Sequence, residues 1–582
     1  MDKDTPPRNF ILPTKQELKK IIWSFSKKEW LVFGGLLLIL FISTLGILQT
    51  INKSFMESVP LRGGSIREGV LGSPRFTNPV LALTDPDKDM VALVYNGLVR
   101  KSPDGEIIPD LAESIDMSPD GLTYTFVLKE NLRFHDGEPL TTDDVIFTIT
   151  QVQDPIIKSP RKGNWDGVSV EKIDDKTVKF ILRKPYATFL ENATLGIMPL
   201  HIWTDSPIEL NEANKTPIGS GPYKVVKVNQ QSSGAIESYE LSTFSDFSLG
   251  QPYIKKITLR FYQNEETLVN ALETGSVDQA SSISPRSAQE LQKKDYRITS
   301  AVLPRIFGLF FNQSQNQIFT NKVVVKAINQ GIDKNKISRE VLGGYAIPIE
   351  DPIPPTVTEY EKQRKTSAPR EEILKGIRES LEEGGWKLGG SGYLEKTTTD
   401  SNKKKTTTVL QFSISTGNAE ELVKSAELIK EDLTELGMKV DVKTFEVGNL
   451  NQSVIRPREY DALFFGQIIN NESDLYAFWH SSQRKDPGLN VAMYTNAKVD
   501  KILEDAFVTT DKEERIKKYI SFEEEIRKDL PAVFLYSPSL IYVIKKDLEG
   551  LTLQNIISPS DRFNNVHLWY TKTDNVWKIF SK

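Results

Sequence analysis

Hydrophobic and polar positions in this chain fall into three regimes. Residues 1–29 are polar and of mixed charge. Leu31–Leu48, LVFGGLLLILFISTLGIL, is apolar without a break. From about residue 63 onward, short alternating runs are interleaved with stretches of helical period. Between Leu93 and Thr150 three turn signals punctuate the pattern: Pro103-Asp104-Gly105, Pro119-Asp120-Gly121 and Asp136-Gly137. Proline presets φ for a turn and glycine accepts the positive φ that follows. Thr123–Leu128 alternates as a strand does. Pro139-Leu-Thr-Thr-Asp-Asp then opens a helix, with Thr142 or Asp143 as the expected cap. Val168–Leu182 reads as a hairpin around Asp174-Asp175. Gly308–Asn312 predicts a strand, and Val324, Ala327, Ile328 and Gly331 share one face of the helix after it. Asp333 can cap the helix that follows. Val409–Ser415, Asn418–Leu436 and Met438–Phe445 form a strand, a helix and a strand, so the second half holds a parallel βαβ unit. Tyr460–Ile469 is a short buried strand leading to a polar loop, and Ala532–Val543 is a further strand. The class is α/β.

The apolar run changes that picture. Extended by Trp30 and Gln49, it has about 20 residues and a helical length of about 30 Å, enough for a hydrocarbon core. Trp23 and Trp30 suit the interfacial belt, and Lys19, Lys20, Lys27 and Lys28 keep the N-terminal side in the cytoplasm. A cleaved signal peptide competes as a reading, as does a buried core helix. A signal peptide would have a shorter apolar core and small residues at a cut site. Here Gln-Thr-Ile-Asn-Lys-Ser-Phe follows the run. The expectation is an uncleaved anchor over residues 30–50, a cytoplasmic segment over 1–29, and everything after about residue 50 outside the cytoplasm.

Composition adds mainly exclusions. Charged residues make up 26% and hydrophobic ones 39%, ordinary for a globular chain. The net charge of −5 is too small to argue for nucleic acid. Cysteine is absent, which removes disulfides, thiolate metal sites and a cysteine nucleophile. The sequence holds no G-x-S-x-G elbow, no H-E-x-x-H and no P-loop. Four histidines, His135, His201, His480 and His567, lie far apart and read as structural. Asp143-Asp144 and Asp174-Asp175 explain themselves as cap and turn residues. Thr216–Tyr223, TPIGSGPY, lacks the lysine and hydroxyl of a nucleotide loop and reads as a backbone turn. No enzyme activity, cofactor or metal is expected. Glu395–Thr408, EKTTTDSNKKKTTT, is a low-complexity insert that reads as a solvated hairpin tip.

The run DGEIIPDLAESIDMSPDGLTYTFVLKENLRFHDGEPLTTDDVIFT closely resembles the signature of family 5 of the extracellular solute-binding proteins. These are the oligopeptide-, dipeptide- and nickel-binding receptors of ABC importers. The resemblance runs from about residue 63 to 582, leaving out the anchor and the threonine-lysine insert. It implies a two-lobed periplasmic-binding-protein-like α/β fold of type II, the large peptide-binding class with an extra subdomain, here preceded by one transmembrane helix. Lobe I would span 63–302, with the subdomain inserted at about 96–210. Lobe II would span 303–535, and 536–582 would return to lobe I. The absent cysteine rules out the lipid-modified cysteine that anchors many such receptors. The implied function is a membrane-anchored receptor that binds oligopeptides between its lobes and delivers them to ABC permease subunits. A non-transport surface sensor, peptide chaperone or scaffold on the same fold is the alternative, and a receptor for nickel or another small ligand a more distant one. The resemblance points to Thr77, Asn78, Tyr95 and Asn96 in the first lobe as ligand-binding. In the second lobe it points to Phe465, Gly466, Gln467 and Ile468. In peptide-binding relatives an aspartate after this strand pairs with the ligand's α-ammonium group. Its place here falls to Gln467 or Ile468, neither of which carries charge, so Glu472 and Asp474 of the following loop join the candidates.

Overall fold

The computed structural model describes residues 14–186, 188–357, 369–399, 401, 404–470 and 473–580. It comprises two units, Met1–Leu61 with Lys572–Lys582, and Arg62–Thr571. In the first, the apolar run lies within the helix Lys27–Phe55, none of whose residues is buried. Ser26 caps it, and Glu29 reaches back to the Ser26 amide at 2.7 Å. Met56–Pro60 follows at once as a strand. It pairs antiparallel with Thr573–Trp577, from Met56 opposite Trp577 to Pro60 opposite Thr573. The return expected over 536–582 therefore stops at Thr571, because the last strand finds its partner beside the apolar helix.

In the second unit, strand β1 (Ser65–Leu71) and helix α1 (Asp85–Val94) come first. The stretch rich in turn signals folds as its own antiparallel sheet. Its strands are β2 (Ala112–Met117), β3 (Thr123–Leu128), β4 (Val168–Lys172) and β5 (Thr177–Leu182), in the order β2-β3-β5-β4. Its helix α2 (Thr142–Gln153) is capped by Thr141, not by Thr142 or Asp143. Asp144 closes a capping box onto the Thr141 amide at 2.9 Å, and the Thr142 hydroxyl donates instead to the Asp174 carbonyl. The glycine-rich turn is a close approach of backbones. A Cβ on Gly219 or Gly221 would fall 2.2 or 2.5 Å from backbone atoms of Val94.

The chain continues with β6 (Tyr223–Gln230), β7 (Ile236–Thr243), β8 (Lys256–Tyr262), β9 (Gln279–Ser281) and β10 (Arg297–Val302). It crosses through Leu303-Pro304 into β11 (Arg305–Phe311). Then come β12 (Gln411–Gly417), α3 (Glu420–Glu435), β13 (Lys439–Phe445) and β14 (Ala462–Ile468). β12 and β13 are parallel, the expected βαβ unit. Helices α4 (Asp474–Trp479) and α5 (Ala497–Val508) precede the long strand β15 (Ala532–Ile544). These strands share one sheet, with the path β13-β12-β14-β11-β15-β9-β1-β8-β7-β6, and β10 also pairs with β15. The first half of β15 pairs with β11 and the second half with β10. The two crossings between lobes lie side by side, the Leu303 amide donating to the Pro538 carbonyl at 2.9 Å. One apolar core draws on Ile66–Leu259 and Tyr542–Trp569, and two others on residues between Ile306 and Tyr536.

A buried charge cluster ties the C-terminal return to the start of lobe I. The Arg562 side chain is fully buried and donates to Glu68 of β1 at 3.0 Å and to both carboxylate oxygens of Asp89 of α1 at 2.8 and 2.6 Å. The other Glu68 oxygen accepts from the Tyr542 hydroxyl of β15 at 2.8 Å and from the Gln279 amide of β9 at 2.6 Å. Burial pushes the Glu68 carboxyl upward against the pull of Arg562. Burial also works against the Arg562 charge, but Asp89 and Glu68 outweigh it and hold the guanidinium ionised. Removing one member strands the others without water. We expect Arg562→Met to lower the unfolding free energy by about 3–5 kcal/mol, read from the urea midpoint at unchanged slope. A midpoint equal to that of the parent protein would show that the cluster does not hold the return in place.

Candidate functional site

The site candidates of the second lobe gather where β14 ends. Opposite positions on the antiparallel β14 and β11 are Phe465 and Gly308, Gly466 and Phe307, Gln467 and Ile306, Ile468 and Arg305. On its other edge β14 meets β12 at Ala462 and Leu463, and the Thr416 hydroxyl donates to the Phe464 carbonyl. Among the described residues that ladder goes no further, so the β14 edge from Phe465 to Ile468 has no paired strand. An unpaired strand edge is where an extended chain can add as one more strand.

The two faces of this strand end differ. On one, Phe307 stacks on Tyr536 with centroids 5.0 Å apart and planes at 16°. A Cβ at Gly466 would fall 2.8 Å from the Phe307 ring, so glycine is what lets that ring lie across β14. Ile468, at the end of the strand, is 48% exposed. On the other, Gln467 is 3% exposed and its Oε1 has no hydrogen-bond partner among the described residues. The same holds for Ser537 Oγ, just past Tyr536 on β15, and for Arg305 Nε. Burial draws the Arg305 guanidinium below its ordinary range, while the field of Asp85, at the start of α1 in lobe I, opposes that shift. Asp474 accepts from the Asn470 amide at 2.8 Å. Glu472 lies outside the described residues.

The lobe I candidates are engaged elsewhere. The Thr77 hydroxyl donates to the Asn214 carbonyl, and Asn78 donates to the Asn214 side chain, each at 2.7 Å. Asn78 Oδ1 also accepts from the Val80 and Leu81 amides. Asn96 donates to Asp110 and Ser248 and accepts from the Ser220 hydroxyl. Tyr95 is buried against the glycine-rich turn. These residues set loop shape in lobe I, and the structure does not bring them to the β14 end. Sequence reasoning missed Arg305 and Ser537. Their only signal was a position beside the two prolines of the crossings, Pro304 and Pro538.

The lobes also meet directly. Tyr186 of lobe I stacks on Phe507 of α5, centroids 5.2 Å apart and planes at 16°. The Thr188 and Ser473 hydroxyls are 3.3 Å apart, and Lys512 pairs with Glu106 at 3.4 Å. Burial pushes the Tyr186 phenol upward.

The histidines keep to separate partners. His135 Nε2 lies 3.0 Å from the Gly221 carbonyl, while Nδ1 accepts from the Gly219 amide. A neutral ring suits this pair, and a second proton on Nδ1 would face a donor. Burial lowers the His135 pKa to about 4, and that of His567 to about 4 as well. His201 meets Asp136 at 2.9 Å and His480 meets Ser482 at 2.8 Å. Among the described residues no group of three or more His, Cys, Asp or Glu is placed to hold a metal.

Residues 106–487 match the family model of bacterial extracellular solute-binding proteins, family 5 Middle. The chain is 28% identical over 550 residues to the oligopeptide-binding protein AppA of Bacillus subtilis, covering 92% of this chain and 97% of that protein. The crystal structure of the ABC transporter substrate-binding protein CtaP from Listeria monocytogenes superposes with a TM-score of 0.74 at 26% identity, over 88% of this chain and all of that one. The structure of Bacillus subtilis AppA in complex with a nonapeptide does so with a TM-score of 0.66 at 27% identity, over 88% of this chain and 99% of that one.

Two outcomes follow from this geometry. The unfolded chain takes up protons near pH 6.5, whereas folded His135 and His567 resist them down to about 4. Stability is therefore full above 6.5 and falls as the pH drops from 6.5 towards 4. The loss is a few kcal/mol, since each tenfold difference in proton affinity is worth about 1.4 kcal/mol. Urea midpoints across that window, compared with those of His135→Gln, check this: the variant should lose part of the slope. Phe507→Ala removes a ring pair worth about 0.5–1.5 kcal/mol. It should weaken peptide binding by about two- to tenfold in calorimetry, through a less stable closed form, with thermal unfolding of either lobe barely moved.

Proposed function

The chain belongs to family 5 of the bacterial extracellular solute-binding proteins, and we propose that it is a membrane-anchored receptor that binds oligopeptides between its lobes and hands them to ABC permease subunits. The observation that carries the reading is the unpaired β14 edge at Phe465–Ile468, flanked by the Phe307–Tyr536 stack and by the lobe contact at Tyr186 and Phe507. Main-chain hydrogen bonds to such an edge accept many side-chain sequences. Two lobes joined by crossing strands close on a ligand when it binds the closed form better. The names of the relatives, AppA with its nonapeptide above all, support a peptide over a small ion. Lobe I is read as 63–302 with the return from 536, and lobe II as 303–535. The split of the apolar cores supports these limits.

The helix Lys27–Phe55 is read as a retained anchor, with the second unit outside the cytoplasm. Support comes from the pairing of Met56–Pro60 with Thr573–Trp577 and from the Trp577 indole, which donates to Asn52 within the helix at 2.9 Å. Cleavage of the helix as a leader would discard that contact.

The charge pattern shapes the ligand. A free α-ammonium group would meet Gln467 and Ile468 at the strand end, with Arg305 opposite Ile468. Gln467 Oε1 can accept one hydrogen bond and cannot neutralise charge. The receptor should hold a peptide by backbone and apolar side chains, with little need of a free amine. Calorimetry of a bound peptide and its N-acetylated form tests this. Affinities within about tenfold, 1.4 kcal/mol, are expected. A larger loss on acetylation would place an acidic anchor at the site, and Asp474 would be the first position to mutate.

A further inference from the structure

We propose that the C-terminal stretch Trp577–Ile579 is a second membrane contact, seated in the lipid headgroup layer beside the apolar helix. The proposal rests on the reading of that helix as a retained anchor. The last strand runs antiparallel to Met56–Pro60 and so heads back towards the helix from which that strand emerges. It does not stop at the helix end. The Trp577 indole donates to Asn52, three residues before the last helical residue, Phe55. Asn52 lies four residues beyond Leu48, where the apolar run ends, which at 1.5 Å per residue is about 6 Å past the hydrocarbon edge. The polar layer on each side of a bilayer is about 5–8 Å deep. Trp577 therefore falls within the headgroup layer, at the level where tryptophan collects in membrane proteins.

What surrounds it suits the same layer. Trp577 is 50% exposed and Ile579, in the short helical turn after it, is 73% exposed. Phe55, at the helix end, is likewise an exposed apolar side chain, next in the chain to the residue opposite Trp577. Lys53 is exposed on the last turn of the helix, and the exposed Lys578 lies between Trp577 and Ile579. Among the described residues of the unit, Phe55, Trp577 and Ile579 are left as exposed apolar side chains. At a bilayer interface, tryptophan and isoleucine enter the acyl boundary while lysine stems extend to the phosphates. One chain contact is marginal for holding a protein at an interface, but beside a spanning helix the tail needs only to fix orientation. The consequence is that the second unit is tied to the membrane through both of its ends, at Arg62 and at Thr571.

The absence of cysteine makes the test direct. Ile579→Cys, Leu36→Cys and Leu388→Cys, each in the full-length protein, are labelled with an environment-sensitive fluorophore and reconstituted into phosphatidylcholine–phosphatidylglycerol vesicles. Leu36 reports the centre of the apolar helix, and Leu388 an exposed site in the second unit. The expected result is a blue-shifted Ile579 probe, quenched by lipids spin-labelled near the headgroup and several-fold less accessible to iodide than the Leu388 probe. If the Leu36 probe is in lipid while the Ile579 probe matches Leu388, the tail contact is refuted and the anchor stands. If the Leu36 probe is also in water, the anchor reading fails and the tail contact falls with it. Since Ile579 is exposed, its replacement leaves packing intact, and an unchanged melting temperature in detergent confirms that each labelled protein is folded.

Discussion

The guanidinium of Arg562 is the point on which the second unit depends. Lobe I is assembled from segments nearly the whole chain apart, and its last segment contributes Tyr542, Ile544, Leu548, Phe563, Val566 and Trp569 to the core it shares with the first. Arg562 and Glu68 are 494 positions apart in sequence, yet they meet in a site closed to water. A single cation faces two carboxylates there, and the excess negative charge is carried by donors from Tyr542 and Gln279. Every strand or helix that supplies a partner is thereby fixed relative to the others: β1, α1, β9 and β15. Such a cluster is costly to desolvate, so its value lies in specifying one assembly more than in stability relative to an apolar core.

β15 carries that constraint into function. Its Tyr542 end is held by the buried cluster and its Ala532–Tyr536 end belongs to lobe II, next to β11. Between them lie Ser537 and Pro538, alongside Leu303-Pro304 of the other crossing. Pro304 and Pro538 cannot donate to a ladder, while Ser537 and Pro538 lie opposite Ile347 and Ala346 of the short strand Ala346–Pro348. Among the described residues, direct contacts between lobes include an aromatic stack, a hydroxyl pair and an exposed ion pair, the last worth little. Contacts of this size leave closed and open forms within a few kcal/mol, a gap that a ligand bound by several main-chain hydrogen bonds can decide.

Much of the fold was legible because local chemistry and tertiary packing agree. The turn signals, the strand Thr123–Leu128, the βαβ unit and the Asp333 cap are set by neighbours within a few residues. The cap of α2 was displaced by one residue because Thr141 and Thr142 are chemically alike and only the distant Asp174 carbonyl separates them. The end strand Thr573–Trp577 escaped notice for a different reason. Its partner is more than 500 positions away, Met56 lying opposite Trp577 and Pro60 opposite Thr573, and neither stretch alternates strongly. For the site, the strand that carries Phe465–Ile468 was legible as a local pattern, while the residues themselves were drawn from resemblance. Arg305 and Ser537 were not found, since a residue's role at a crossing is decided by which strands lie beside it. Thr77, Asn78 and Asn96 were drawn from resemblance. Their hydrogen bonds to Asn214, Asp110 and Ser248 involve partners far along the chain, which a linear reading does not reach.

The unpartnered polar atoms at the β14 end narrow the ligand chemistry further. Among the described residues, Gln467 Oε1 is an acceptor without a donor, Arg305 Nε a donor without an acceptor, and the Ser537 hydroxyl can act as either. Each costs about 1–3 kcal/mol when buried unpaired, so the sheet end is a polarised surface that gains when both kinds of group arrive. A metal ion would satisfy the acceptor and repel the guanidinium. An apolar ligand would satisfy none of them. A peptide main chain presents N–H and C=O in alternation and meets both needs, beside the free edge at Phe465–Ile468 where the same groups can pair with backbone. On the proposed reading, the absence of a carboxylate at positions 467 and 468 leaves terminal charge unread.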